Sequence, residues 1–155
     1  MEIDIRSVEP QDRNEWLRLR TALWPESPED HPQEIDAFFR GELPEPAAVL
    51  VATVDGQLVG LAELSIRACA EGCSSRNVGY LEGWYVQSEQ RRQGVGRSLI
   101  AAAEQWAADQ GCSEFASDAE VDNEASRQAH LACGFRETGV IRCFIKRLQA
   151  TGKEE

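Results

Sequence analysis

Apolar and polar residues alternate with changing periods along the chain, and these periods predict successive strands and helices. Glu2 to Val8 alternates as a short strand. Trp16, Leu19 and Leu23 then recur at helical spacing, and this helix should end near Trp24-Pro25 because the residue before a proline is pushed out of the α region. The chain therefore opens with a strand followed by an amphipathic helix.

The next segments predict a second helix and a hairpin. The helix carries apolar side chains within residues 35–39 and ends at Gly41. The apolar run Ala47 to Val54 and the returning run Leu58 to Ile66 are separated by Asp55-Gly56, a pair typical of type I′ hairpin turns. We expect these two strands to pair antiparallel.

Residues 79–111 contain the segment around which the chain is organised. Tyr80 to Val86 is rich in aromatic and β-branched residues and predicts a strand, and the polar run Gln87 to Gln90 ends it. A helix then extends to Gly111, and Glu114 to Ser117 forms another short strand. Such a strand-helix-strand unit is expected to be a right-handed parallel crossover.

The remaining segments predict a helix over Asn123 to Cys133 with Gly134 as its cap, and a last strand over Val140 to Arg147. The element order is β-α-α-β-β-β-α-β-α-β. It indicates an α/β (α+β) fold with a mixed, mostly antiparallel sheet flanked by helices. The length predicts one domain over residues 1–155, in which the charged tail 149–155 frays.

Composition narrows the classes of partner. The formal net charge of −11 argues against nucleic acid and anionic membranes as partners, and it suits a cationic one, although acidic proteins are often acidic for solubility alone. The sequence has no apolar run of membrane-spanning length, and its charged start does not resemble a signal peptide. These features predict a cytoplasmic protein that contacts neither membrane nor nucleic acid.

The five cysteines predict reduced thiols, because the number is odd and no export signal is present. Cys69 and Cys73 are the only close pair. A Cys-x₃-Cys pair without a second pair or a nearby histidine is a weak zinc signal, and we expect no metal site.

A glycine-containing basic turn joins the central strand to the helix that follows it. Glycines allow close approach to a ligand, and the first N–H groups of a helix have no partner within the helix, so this turn suits a phosphorylated ligand. No third glycine follows to complete a dinucleotide fingerprint, and no Gly-Lys-Ser/Thr follows for a nucleotide P-loop. The turn, called the hinge below, consists of Arg91, Arg92, Gln93, Gly94, Val95, Gly96 and Arg97.

The hinge resembles the Arg/Gln-x-x-Gly-x-Gly/Ala signature of the GCN5-related N-acetyltransferases, with Arg91, Gly94 and Gly96 in the fixed positions. The order of elements matches that superfamily as well. The resemblance implies that the hinge cradles the pyrophosphate of acetyl-coenzyme A. It also implies that the two parallel strands splay apart and that the pantetheine arm lies in the gap.

Two carboxylates are placed to bind and deprotonate an amine substrate. Glu82 lies in the strand before the hinge, and Asp118 directly follows the next parallel strand. Glu82 is predicted to share a strand face with Tyr80 and Trp84, an apolar setting that would raise its pKa. Glu82 on the solvated side and Asp118 as a cap of the turn at Asn123 are the alternatives.

His130 stands seven residues after Asn123 and four before Gly134, where the superfamily often has a tyrosine. That tyrosine is usually assigned as the acid that protonates the departing thiolate, and an imidazole is able to do the same. An ordinary surface or capping histidine is the alternative. As the oxyanion donor we expect the backbone N–H of Val86 or Gln87.

Segments across nearly the whole chain are similar to the aminoglycoside 6′-N-acetyltransferases. They include Trp16 to Pro25, Leu81-Glu82-Gly83, Ala116 to Asp118, and Asn123 to Phe135. The resemblance implies acetyl transfer to the 6′-amine of an aminoglycoside, and a homodimer. It implies that Trp24, Glu82 and Asp118 contact the drug, while Val86, the hinge and Asn123 hold the cofactor.

Two other readings stay open at this point. One is an acetyltransferase acting on another small amine or a protein N-terminus. The other is a non-catalytic module that binds coenzyme A, which would keep the hinge but would not need Glu82, Asp118 and His130.

Overall fold

The computed structural model of the chain describes residues 1–149. Beyond Gln149, the tail predicted to fray lies outside the described residues. Short 3₁₀ turns at Pro10–Asp12 and Ser88–Gln90 precede two of the helices. The strands and helices are β1 (Ile3–Ser7), α1 (Arg13–Leu23), α2 (His31–Phe39), β2 (Ala48–Val54), β3 (Gln57–Arg67), β4 (Val78–Val86), α3 (Val95–Asp109), β5 (Glu114–Ser117) and α4 (Glu124–Ala132).

The five strands form one sheet in the order β1-β2-β3-β4-β5. The first three pairings are antiparallel, and β4 pairs with β5 in parallel, so the predicted mixed α+β fold is confirmed. The hairpin turn is also as predicted, since Asp55 and Gly56 both have positive φ, at 52° and 83°.

Helices cover both faces of the sheet. Helix α3 packs on one face through a cluster in which Leu99 is fully buried. Helices α1 and α2 cover the other face, where Trp16 and Ile35 pack against β2 and β3. Each helix therefore buries one apolar side against strands that are apolar on both faces, as the sequence pattern of β2 and β3 requires.

A buried ionic cluster fixes α1 to the sheet. Glu63 of β3 is 1% exposed, and its carboxylate accepts a hydrogen bond from Trp16 Nε1 at 2.9 Å. Arg20 Nε lies 3.1 Å from the same carboxylate, and Arg20 Nη2 lies 2.7 Å from Glu34 Oε1. Burial raises the pKa of Glu63, and the nearby Arg20 charge opposes that rise. Because α1 is held here, the position of Trp24 at its end is held as well.

The pairing of β3 with β4 contains a bulge at Glu82. Glu63 pairs with Gly83 and Leu64 pairs with Leu81, so Glu82 has no partner residue in the ladder. A bulge inserts one residue and changes which side chains share a face beyond it. Trp84 accordingly packs against the cluster that contains Leu81, and the prediction that it shares a face with Glu82 is wrong.

Strands β4 and β5 separate after four residue pairs. The parallel register runs from Val78 opposite Glu114 to Leu81 opposite Ser117, while β4 continues to Val86. The second half of β4 is therefore hydrogen-bonded to β3 on one side and borders a gap on the other.

The predicted last strand, Val140 to Arg147, is wrong for the described structure. Residues 135–149 belong to no helix or strand, and residues 136–149 are exposed. A strand exists only through hydrogen bonds to a neighbouring strand. Within residues 1–149 no strand pairs with this segment. Its apolar pattern is typical of a strand, but the hydrogen bonds that define a strand are missing.

Candidate active site

The backbone N–H group of Val86 points into the gap between β4 and β5. Gln87 N–H donates to the Val59 carbonyl at 2.9 Å, so it points toward β3 and is already used. Successive residues of a strand direct their backbone polar groups to opposite sides, so those of Val86 point into the gap. Of the two predicted oxyanion donors, the geometry leaves Val86 N–H.

The hinge adopts the conformation that its glycines suggest. Gly94 is the N-cap residue of α3 with φ of 93°, and Arg92 also has a positive φ, 64°. The N–H groups of Val95, Gly96 and Arg97 begin the helix and have no helical partner. This end of α3 is suited to hold an anionic group such as a pyrophosphate.

Two of the hinge arginines are bound to backbone carbonyls. Arg91 Nε donates to the Val86 carbonyl at 2.6 Å, and Arg97 Nη2 donates to the Ala132 carbonyl at 2.9 Å. Arg91 therefore links the hinge to the end of β4, and Arg97 links α3 to the end of α4. Gln93 Nε2 lies 3.4 Å from the Glu89 carbonyl, a weaker contact.

Gly96 lets the hinge lie close to β4. A Cβ atom at this position would be 3.3 Å from Trp84 Cζ2 and 3.6 Å from Trp84 Nε1. The Trp84 indole N–H is buried and has no hydrogen-bond partner among the described residues. A small residue here therefore allows the hinge to lie directly against the strand that borders the gap.

Trp24 forms a wall of the site on the face covered by α1. It is the residue that ends α1, and its ring packs on Gly83, where a Cβ would be 2.7 Å from Trp24 Cη2. His31 Nε2 donates to the Trp24 carbonyl at 2.8 Å, and the Arg20 guanidinium lies 5.3 Å from the centre of the Trp24 ring. Trp24 is half-buried, and contacts with Gly83, His31 and Arg20 fix its position.

Glu82 is paired with an arginine, so the apolar setting predicted for it is wrong. Arg67 Nε and Nη2 donate to the two Glu82 carboxylate oxygens at 2.9 and 2.8 Å. Arg67 is the last residue of β3, and the pair raises the pKa of the Arg67 guanidinium.

Asp118 is connected to the same group through Tyr80. The Tyr80 hydroxyl donates to Asp118 Oδ2 at 2.5 Å, and the Arg67 guanidinium carbon lies 3.6 Å from the centre of the Tyr80 ring. Burial of Tyr80, and next its bond to Asp118, raise the pKa of the phenol well above its ordinary value. Glu82, Arg67, Tyr80 and Asp118 thus form a continuous chain of contacts across β4 and β5.

His130 lies half-buried between β4 and β5. Its Nδ1 donates to the Ser126 carbonyl at 2.8 Å, so in the neutral ring Nε2 accepts from the Ser117 hydroxyl, 2.8 Å away. Its ring contacts Trp84 and Phe135, with centroid distances of 5.1 and 5.0 Å. His130 is therefore part of the site.

Asn123 is the N-cap residue of α4. Its side-chain oxygen accepts from Ser126 N–H at 3.1 Å, which satisfies one of the free donors of that helix. The cap of this helix is Asn123 itself and not Asp118, so the alternative that Asp118 caps the turn at Asn123 is wrong. The Asn123 side-chain NH₂ group stays available.

Four of the predicted residues, Trp24, Glu82, Asp118 and His130, are thus linked through contacts on β4 and β5. The sequence reasoning missed Arg67, the bond of Tyr80 to Asp118, and Ser117. Arg67 precedes the loop before β4, and antiparallel pairing of β3 with β4 would have placed it beside residues 78–82. The pattern alone could not reveal the bulge that aims Glu82 at it.

Two observations concern sites of other kinds. Over residues 1–149, no group of three or more His, Cys, Asp or Glu side chains is arranged to hold a metal ion. No helix among these residues is both long and apolar enough to span a membrane.

Comparison with known proteins identifies the family. The model of the acetyltransferase (GNAT) family matches residues 14–135. The chain is 52% identical over 146 residues to the aminoglycoside N(6′)-acetyltransferase type 1 of Klebsiella aerogenes, covering 93% of this chain and 96% of the relative. With the corresponding enzyme of Stenotrophomonas maltophilia the identity is 42%, and the match covers 90% of each chain.

The solved structure of AAC(6′)-Iy with the bisubstrate analogue CoA-S-monomethyl-acetylneamine superimposes with a TM-score of 0.87. It shares 35% identity, and the match covers 96% of this chain and 100% of that one. The resemblance seen in the sequence is confirmed. The chain belongs to the GNAT family of acetyltransferases, enzymes that use acetyl-coenzyme A.

Proposed function

We propose that this protein transfers the acetyl group of acetyl-coenzyme A to the 6′-amine of an aminoglycoside antibiotic. The observation that carries the proposal is the pair of carboxylates, Glu82 and Asp118, set with Trp24 where β4 and β5 part. An aminoglycoside carries several ammonium groups, and an acidic cleft with an aromatic wall suits such a ligand. The related enzymes described above have aminoglycosides in their names.

The two carboxylates bind substrate ammonium groups, and one of them receives a proton from the reacting amine directly or through water. Asp118 is exposed at the end of β5 and has an oxygen beyond the one that accepts from Tyr80. The neutral amine then attacks the thioester directly, with no covalent enzyme intermediate. Val86 N–H stabilises the oxyanion that forms.

The hinge binds the pyrophosphate of the cofactor. Val95, Gly96 and Arg97 offer their free N–H groups, and the left-handed Gly94 turns the chain so that these groups point together. Arg92, exposed beside them, adds positive charge. Arg91 acts mainly by fixing the end of β4, and Val86 and the Asn123 side-chain NH₂ border the cofactor arm.

His130 supplies the proton that the coenzyme A thiolate takes up on leaving. Because Nδ1 is bound to a carbonyl, the proton leaves from Nε2, which faces the Ser117 hydroxyl. Ser117 is the last residue of β5 and opens the gap opposite Leu81. A protonated imidazole is thus able to deliver its proton to the gap through the serine hydroxyl.

The protein acts as a homodimer in which the segment 140–148 of each copy covers the free edge of β5 in the other. The side chains of Phe144, Ile145 and Leu148 are 91%, 83% and 85% exposed. Contact of this much apolar surface with water is unfavourable, and such patches mark interaction sites. Within the described residues β5 pairs with β4 alone. A cavity of about 390 Å³ is lined by Phe115 of β5 and by Val140, and also by Ser117, Asp118 and His130.

The reaction takes place in the cytoplasm. The five cysteines are all free, which suits a reducing compartment.

Acetyl-coenzyme A consumption, followed as thiol release, tests the reaction. Kanamycin and tobramycin should be turned over, whereas an aminoglycoside with a hydroxyl in place of the 6′-amine should not, because it lacks the nucleophile. No turnover of any of them by protein that binds coenzyme A would discard the antibiotic as substrate. Equal turnover of all three would place the acetyl group on another amine.

Gly94→Ala should raise the KM for acetyl-coenzyme A by about tenfold, since alanine resists the left-handed conformation that aims the hinge N–H groups. Steady-state kinetics at saturating aminoglycoside measure this. Gly111→Ala is the matched control: its φ is 86°, close to the 93° of Gly94, both sites are open, and it lies at the far end of α3. A similar KM change in both variants would contradict the role of the hinge.

His130→Ala should lower kcat by about tenfold or more, with little change in the KM for acetyl-coenzyme A, because the leaving thiolate loses its acid. Gln128→Ala, on an exposed part of the same helix, should keep the wild-type kcat. An unaltered kcat in the His130 variant would remove His130 from the mechanism.

Sedimentation velocity at micromolar concentration should find a dimer. Ile145→Glu should shift it toward monomer, because a charge cannot be buried against the partner sheet. Ala108→Glu adds the same charge at an exposed position of α3 and should leave the dimer intact. A wild-type monomer, or a dimer unaffected by Ile145→Glu, would contradict this arrangement.

A further inference from the structure

Arg67 places a positive charge inside the cleft that is proposed to bind a positively charged substrate. Its two bonds to Glu82 take both carboxylate oxygens, in the forked geometry that only a guanidinium provides. The guanidinium carbon of the same group lies 3.6 Å from the centre of the Tyr80 ring, a cation–π contact. Glu82 is therefore already occupied by a cation of the protein itself.

We propose that Arg67 is a specificity-determining residue that holds Glu82 in the free enzyme and is displaced when a substrate ammonium binds there. The inference rests on the proposed function, because it takes Glu82 as a binding group for the substrate. Arg67 neutralises the charge of Glu82 and takes one acceptor position on each of its oxygens, so a substrate ammonium gains less at Glu82 while that pair is formed. The two cations compete for one carboxylate.

The position of Arg67 allows the exchange. Its side chain is 38% exposed and that of Glu82 is 20% exposed, so the pair lies at the surface of the cleft rather than in the core. Arg67 is the last residue of β3, and the loop over residues 68–77 follows it. The guanidinium is able to swing into solvent while its backbone stays paired opposite Val78.

The other carboxylate of the site is arranged differently. Asp118 accepts from the Tyr80 hydroxyl, and no arginine or lysine of the described residues forms a salt bridge with it. A substrate with several ammonium groups is able to engage Asp118 first and then replace Arg67 at Glu82. An amine with a single charge has no second group to drive that replacement. Arg67 thus makes the cleft select for polycations.

The competition has a measurable size. When a site is free in only a fraction of molecules, the apparent affinity of a ligand falls by that fraction. Removal of Arg67 should therefore tighten the binding of a polycation. It should not alter acetyl-coenzyme A binding, because within residues 1–149 Arg67 forms no hydrogen bond or salt bridge with the hinge or with Val86.

The test is tobramycin binding to Arg67→Gln and to wild-type protein by isothermal titration calorimetry, in the presence of coenzyme A. We expect the dissociation constant to fall by about fivefold or more in Arg67→Gln, with the KM for acetyl-coenzyme A unchanged. In a Glu82→Gln background the same Arg67 substitution should have no effect on tobramycin binding, since the competition passes through that carboxylate.

Arg13→Gln is the matched control for net charge. Arg13 makes a similar forked pair with Asp36, at 2.6 and 2.9 Å, and it lies at the opposite end of α1 from Trp24. Unchanged or weaker tobramycin binding by Arg67→Gln would overturn the proposal, and so would an equal gain in Arg13→Gln or in the Glu82→Gln background.

Failure of the proposed function would be seen separately. Wild-type protein that does not acetylate tobramycin would reject that function. The same calorimetric series with spermine, a simple polycation, would still decide whether Arg67 competes for Glu82.

Discussion

The separation of β4 from β5 after Leu81 is the constraint on which the rest of the site depends. Four paired residues hold the parallel strands together, and the following part of β4 keeps hydrogen bonds only to β3. The N–H group of Val86 is left facing an open gap, while its carbonyl accepts from Arg91. If β4 and β5 were paired along their whole length, the Val86 N–H group would be hydrogen-bonded to β5. Neither a thioester nor an amine would then reach it.

Two devices maintain that gap from either side. The hinge ties the end of β4 to α3 through Arg91, and Gly96 allows α3 to begin directly against Trp84. On the other side, His130 fills the space between Trp84 and Ser117 and so bridges the two strands where they part. The residues assigned to chemistry therefore also support the geometry that the chemistry needs.

The electrostatics of the cleft are more balanced than the net charge of −11 suggests. Of the two carboxylates, one is neutralised by Arg67 and the other is hydrogen-bonded by a neutral phenol. An acidic cleft without such partners would bind any cation. On the proposed function, partial neutralisation would raise the number of charges that a ligand needs, which suits an enzyme that acts on a polycation.

The sequence by itself determined the family and most element boundaries, and it named Glu82, Asp118 and His130 as candidates for the site. The Asp55-Gly56 turn, the glycine hinge and the capped helix at Asn123 are local features, each set by the conformational preferences of a few neighbouring residues.

The tertiary structure alone decided three other points. The bulge at Glu82 depends on how two strands match in register, so it changed the neighbours of Glu82 and Trp84. The Arg67 pair joins residues fifteen positions apart across that bulge. The strand predicted over Val140 to Arg147 needs a partner edge, and an apolar pattern cannot say whether that edge lies in the same chain.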